Sequence, residues 1–310
     1  MGALPIGVMD VAGRRMPTTH RCAPAVLAGR AMVDVSTGFP ANIMLGTLDV
    51  LGSTLTSGLR GWRGTRVVGA ERQPARLLEL YEFEACPECR LVREALTELD
   101  LDARVFPVPV GGKRFRGRLP KPGRRTRVPC LVDPNTGRTL NDPAAILTHL
   151  YRHYGGRDVP LRQLRAIDVA TSTLASLSRL AAGARARPSR PARRPLELFS
   201  FESSPYSRRV RERLSELELA YVLRNTGKDR WQDLGPPVLR RLLFPRLPVT
   251  GRNREALLER AGRVQLPWLY DPNTDTGLFE SGAICEYLER TYGRPSPGAA
   301  RRPLPQSRER

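Results

Sequence analysis

The chain repeats itself. Residues 78–101 read LELYEFEACPECRLVREALTELDL and residues 196–219 read LELFSFESSPYSRRVRERLSELEL, with 14 of 24 positions identical and no gap. A second block, 128–155 (VPCLVDPNTGRTLNDPAAILTHLYRHYG), matches 266–293 (LPWLYDPNTDTGLFESGAICEYLERTYG) at 13 of 28 positions. The offset grows from 118 to 138, so the second copy holds about 20 extra residues between its matched blocks. A shorter lead-in, LDVLGSTLTS at 48–57, recurs as IDVATSTLAS at 167–176. Whatever one copy folds into, the chain must contain it twice.

Each copy has one pattern of elements. A short apolar strand is expected at Leu78–Phe83 and at Leu196–Phe201. An amphipathic helix follows, with Val92, Leu96 and Leu99, or Val210, Leu214 and Leu217, at helical spacing. A second strand is expected at Ala103–Val110 and Ala220–Arg224, and a third after Pro129 or Pro267. Asp-Pro-Asn-Thr at 133–136 and 271–274 then signals a hairpin. A last helix starts at Asp142-Pro143 or at Ser281, with proline at its first position in the first copy. The order β-α-β, then β-β-α, implies a compact α/β sheet with helices on its faces.

Composition narrows the classes. The 310 residues leave room for two domains, and 40 % hydrophobic with 26 % charged residues is a globular balance. No run of about 18 apolar residues exists, which excludes a membrane-spanning helix. Five cysteines are too few for a disulfide scaffold. The formal charge of +20 comes from 48 Arg and three Lys, a skew of GC-rich codons rather than of a phosphate-binding surface. A nucleic-acid partner is therefore not expected. The basic runs 111–127 and 179–195 read as solvated linkers.

The chemistry concentrates where the first strand meets its helix. Cys86-Pro87-Glu88-Cys89 puts two sulfurs on one face of a first helical turn. There the free N–H groups and the dipole favour a thiolate at Cys86, and Cys89 stands ready to resolve a mixed disulfide. The alternatives are half a zinc site or two inert buried thiols. Zinc needs two more ligands, and His20, His149 and His153 have no matching spacing, so no metal is expected.

With these residues in view, each copy resembles the thioredoxin-like, glutaredoxin-type domain that also forms the N-terminal half of glutathione S-transferases. The resemblance covers most of 76–155 and 195–293. It implies a cis proline before the third strand, here Val128-Pro129 and Leu266-Pro267, beside the cysteinyl part of glutathione. It also implies an acidic residue followed by Ser at the start of the last helix, holding the γ-glutamyl end. Glu280-Ser281 matches, whereas the first copy has Asp142-Pro143 and lacks the hydroxyl and the N–H. In the second copy the thiols become serines, Ser204-Pro205-Tyr206-Ser207, so it cannot run dithiol exchange. Ser204 resembles the serine of some transferases that hydrogen-bonds the glutathione thiolate; a plain helix N-cap is the alternative.

Two departures bear on mechanism. Glu82, Glu84 and Glu88 surround Cys86 and oppose thiolate formation, with Arg90 and Arg93 offsetting part of that. Cys130 follows Pro129 and should turn into the core, while Cys285 and Cys22 read as structural or incidental. A full transferase continues into an all-helical domain, for which the chain leaves no room after Gly293.

The expected layout is therefore a leader over 1–43, with Met44 a candidate start and an organelle transit peptide the alternative. A lead-in helix and linker follow over 44–75, then a thioredoxin-like domain over 76–155. A helix (Leu161–Leu180) with an Arg/Pro linker fills 156–194, a second domain covers 195–293 and a tail 294–310. The leading functional expectation is a glutathione-linked thiol–disulfide oxidoreductase. Cys86 is its nucleophile, Cys89 its resolving thiol, and Val128, Pro129 and Asp142 shape its substrate site. Glutathione is the co-substrate, the partners are disulfide or glutathionylated substrates, and the compartment is cytoplasmic, or a plastid if the leader is a transit peptide. A transferase-like protein using Ser204, Leu266, Pro267, Glu280 and Ser281 is one alternative. A non-catalytic interaction module is another, and a glutathione-ligated iron–sulfur cluster on Cys86 a third.

Overall fold

The computed structural model describes residues 63–120, 127–160, 182–233, 242–243 and 247–294. The expected helices over 44–60 and Leu161–Leu180, the leader with Cys22, and all but the first residue of the tail lie outside the described residues.

The first copy runs β1 (Leu78–Glu82), α1 (Pro87–Glu98), β2 (Ala103–Pro107), β3 (Cys130–Asp133), β4 (Arg138–Leu140) and α2 (Pro143–His149), which continues as a π-type turn over Leu150–Tyr154. The second runs β5 (Leu196–Ser200), α3 (Pro205–Glu216), β6 (Tyr221–Asn225), α4 (Arg252–Ala261), β7 (Trp268–Asp271), β8 (Thr276–Phe279) and α5 (Ser281–Tyr292). The expected helical stripe is the observed one: Val92, Leu96, Leu99, Val210, Leu214 and Leu217 are all fully buried against the sheet. The hairpin turns are fixed by asparagine. Asn135 bonds both backbone groups of Arg76, and Asn273 does the same for Arg194. Helix α4 was not expected. It occupies the longer connection of the second copy and sets Leu257 against Phe199 and Trp268. The first copy covers the equivalent face with Phe115 and Leu119, packed on Tyr81 and Cys130.

The sequence leaves the relation of the copies open, and the structure supplies it. All eight strands form one sheet in the order β4-β3-β1-β2-β6-β5-β7-β8. Within each copy the first two strands are parallel and the others antiparallel. The copies join through β2 and β6, antiparallel, with Ala103, Arg104 and Val105 opposite Leu223, Val222 and Tyr221. The inner edge strand of each copy is thus capped by the other, which removes two edges that would otherwise be open to pairing.

The basic stretch before the second copy keeps its arginines exposed over the described part, while its backbone docks on the first copy. Residues 184–186 bond Val110 of the first copy, at 2.7 and 2.9 Å. Reciprocally, Thr65 and Val67 bond Lys228 of the second copy, at 2.7 and 2.9 Å. The described residues just before each copy therefore cross onto the other copy. Arg114, in the other basic run, likewise bonds Glu218, the Leu217 carbonyl and Ser189. The crossings depend on glycine. Gly64 and Gly183 have φ of 73° and 78°. A Cβ on Gly64 would lie 2.7 Å from Cβ of Glu202, and one on Gly183 3.0 Å from Cβ of Glu84.

Candidate active site

Strand β1 ends at Glu82, and a tight turn, closed by Cys86 N donating to Phe83 O at 3.1 Å, leads into α1. Cys86 is the N-cap residue, with extended backbone (φ −72°, ψ 120°) and Pro87 next to it. Its sulfur takes the place of a capping oxygen, because Cys89 N donates to Cys86 Sγ at 3.3 Å. Cys86 is 6 % exposed and Cys89 fully buried. The Cys86 thiol is held below its ordinary pKa, chiefly by its hydrogen bond with Cys89, against burial; Glu82 opposes this and Arg93 assists it. Cys89 is pushed well above the ordinary range, first by burial and then by Cys86 itself. The two sulfurs are one turn apart and differ in ionisability.

Sheet register brings the other expected residues to this end. Tyr81 pairs with Cys130, so Val128-Pro129, in the cis form, approaches from β3 beside the end of β1. Leu131 pairs with Leu140, which places Asp142, just past β4, at the same end. The Asp142 carboxylate caps α2 by accepting from Ala145 N at 2.8 Å. Cys130 is buried in the core on the far side, where burial pushes its thiol up to about 11. Cys285 is pushed up to about 11 in the same way.

The second copy repeats the frame with other atoms. Ser204 caps α3, its hydroxyl accepting from Ser207 N at 3.2 Å, and is 3 % exposed. Leu266-Pro267 is cis, and Trp268 pairs with Phe279, which sets Glu280 and Ser281 beside it. Glu280 differs from Asp142. It has φ of 68°, caps nothing with its side chain, and its exposed carboxylate accepts from Gln265. Ser281, the first residue of α5, is buried.

The sequence reading weighed Glu82, Glu84 and Arg93 only for their effect on Cys86. The structure makes them part of a buried ring between the copies. Arg93 Nε donates to Glu202 Oε2 at 2.9 Å and Arg211 Nε to Glu84 Oε2 at 3.0 Å. Arg93 also bonds the Glu84 carbonyl at 3.1 Å, and Arg211 the Glu202 carbonyl at 3.0 Å. The contact is isologous: what the first copy gives the second, it receives. The Glu202 carboxyl is pushed up by burial, yet Arg211, Arg93 and Arg90 together bring it down to about 2. Glu82 is unique to the first copy, where Ser200 stands in the second. Arg93 ion-pairs with it, but burial prevails and its carboxyl is pushed up to about 7. The signal for the ring was in the alignment of the copies, since Glu84 and Arg93 recur as Glu202 and Arg211 while the thiols do not.

A β-α-β and β-β-α unit with a cis proline facing a helix N-terminus, carried twice, defines a tandem thioredoxin-like protein. Among the described residues no all-helical domain accompanies either unit, and no helix is long and apolar enough to cross a membrane. The family model for the glutathione S-transferase N-terminal domain matches residues 80–158 and again 198–296, and the chain belongs to that family. No curated protein and no solved structure matches the chain. Among the described residues, no group of three or more His, Cys, Asp or Glu could hold a metal ion.

Proposed function

We propose that the chain is a glutathione-linked thiol–disulfide oxidoreductase. The observation that carries this reading is Cys86 Sγ at the N-cap of α1, accepting the Cys89 N–H with its thiol held below the ordinary range. The Cys86 thiolate attacks the glutathione sulfur of a glutathionylated substrate. The S–S bond breaks, the substrate leaves as a thiol after gaining a proton, and a Cys86–glutathione disulfide remains. Cys89 then loses its proton and attacks Cys86 Sγ, expelling glutathione and closing the Cys86–Cys89 disulfide. Two further glutathione molecules restore the dithiol and leave as oxidised glutathione. Val128 and Pro129 border the substrate, with Asp142 at the same end. A dithiol that must return to its reduced form suits a reducing compartment, the cytoplasm first and a plastid second.

The test is turnover of a glutathionylated peptide. Cys86→Ser is expected to fall to background, and Cys89→Ser, given the glutathionylated peptide without free glutathione, to stop with one glutathione attached, read as a mass increase. Full activity in Cys86→Ser overturns the reading.

A second reading is favoured by Glu280, whose carboxylate is free of capping and stands next to buried Ser281. Here the second copy binds glutathione, and Ser204 holds its thiolate for attack on an electrophile. Glutathione binding lost in Ser281→Ala but retained in Cys86→Ser supports this transferase-like role; the opposite result removes it.

A further inference from the structure

The second copy has neither the thiols nor the buried carboxylate before them, yet it repeats the charged residues of the ring that meets the first copy. Glu202 repeats Glu84 and Arg211 repeats Arg93, while Ser204, Ser207 and Ser200 replace Cys86, Cys89 and Glu82. The retained pair reaches the dithiol site by a short route. Arg93 lies one helical turn beyond Cys89, on the same face of α1. Its guanidinium grips the segment that delivers Cys86, bonding the Glu82 carboxylate and the Glu84 carbonyl. What aims that guanidinium is a two-point contact with Glu202, at 2.9 and 3.3 Å. Arg93 and Glu202 are both buried, so neither has water as an alternative partner.

We propose that Glu202, supplied by the thiol-free copy, is a positioning residue for the Cys86–Cys89 site of the other copy and acts through Arg93. The inference rests on Cys86 being the reactive thiol. The charged and titratable groups that face the Cys86 thiol, Arg93 or Glu202 are Glu82, Glu84, Cys89, Arg90, Arg93 and Glu94 of the first copy, of which Cys89, Glu82 and Arg93 act on the thiol itself. From α3, β6 and the turn before α3 the second copy adds Arg208, Arg211, Tyr221 and Glu202. In Glu202→Gln the amide oxygen can still accept from Arg93 and keep it aimed, while the counter-charge is gone, so the net positive field at the Cys86 sulfur grows. Glu82 ionises further and cancels part of that gain, so the net direction favours the thiolate.

The experiment is alkylation of the full chain with iodoacetamide across a pH series, with Cys86 read by mass spectrometry. In Glu202→Gln the midpoint is expected to fall by about half a pH unit, about threefold more thiolate below it. Glu202→Asp, which withdraws the carboxylate by one methylene, gives a smaller fall and serves if the Gln variant does not fold. Glu218→Gln neutralises another carboxylate in contact between the copies, where Glu218 accepts from Arg114 N at 2.9 Å, and should leave the midpoint in place. An unmoved midpoint in the folded Glu202 variants, or an equal shift in Glu218→Gln, overturns the proposal. If Cys86 of the unaltered chain alkylates no faster than Cys130 and Cys285, the oxidoreductase reading has failed instead.

Discussion

At the end of β1 the chain buries Glu82 and then two thiols; at the end of β5 it buries Ser200 and then two hydroxyls. Around these differences the same charged residues stand in both copies: Glu84 and Glu202, Arg90 and Arg208, Arg93 and Arg211, Glu94 and Glu212. Around the two helix starts the copies differ in the residues nearest the sulfurs and agree in the charged residues of the ring between them. The arginines show the limit of that agreement. Arg93 and Arg211 are fully engaged in the ring, whereas Arg208 Nε and Nη2 have no hydrogen-bond partner and its nearest carboxylate, Glu84, is 3.9 Å away. Burial, with Arg90 close by, pushes the Arg208 guanidinium down to about 9.

The comparison breaks most visibly at the ring. Arg93→Met takes the ion-pair partner from buried Glu82 and one of three arginines from Glu202, and should destabilise the chain by about 3–5 kcal/mol in denaturant unfolding, whereas Arg208→Met should be neutral or stabilising by about 1 kcal/mol or more. Equal losses for the two would dissolve the distinction between engaged and idle arginines. Next comes the carboxylate that only the first copy has. Because the Glu82 carboxyl is raised from 4.5 to about 7, the folded state holds a proton that the unfolded state releases first. Stability from this group is therefore complete below pH 4.5 and is lost as pH rises through 7, by roughly 3 kcal/mol at about 1.4 kcal/mol per pH unit. Glu82→Gln, which resembles the protonated acid, should flatten that fall in a melting-temperature series. The smallest effect sharpens the two helix starts. Asp142→Ala removes a cap and should cost about 1 kcal/mol, while Glu280→Ala, which removes none, should cost close to nothing in the same unfolding assay.

The parts legible in the sequence were those that one copy settles alone. Val92, Leu96 and Leu99 announced a helix and its buried face, and Asp-Pro-Asn-Thr announced a hairpin. Cys86 before Pro87 announced a cap whose acceptor is sulfur. Strand ends read too long, at Phe83 for Glu82 and at Val110 for Pro107, because an apolar side chain does not mark where the ladder stops: Phe83 O closes the turn before α1, and exposed Val110 makes only an isolated bridge to Arg185. What needs both copies was not legible. β2 and β6 carry no mark that says they pair with each other rather than with solvent. The stretch 184–190 reads as a linker because residues that bond through their own backbone N–H and carbonyl need no particular side chain. Helix α4 was hidden by its mean polarity, with Leu257 the fully buried apolar anchor that it contributes.

The shared β2–β6 seam fixes a stoichiometry. Two separate chains meeting by this surface would present two like sites, and any loss of thiols would strike both at once. Joined in one polypeptide, the halves are always one of each kind, so each chain carries one helix start capped by sulfur and one capped by a hydroxyl.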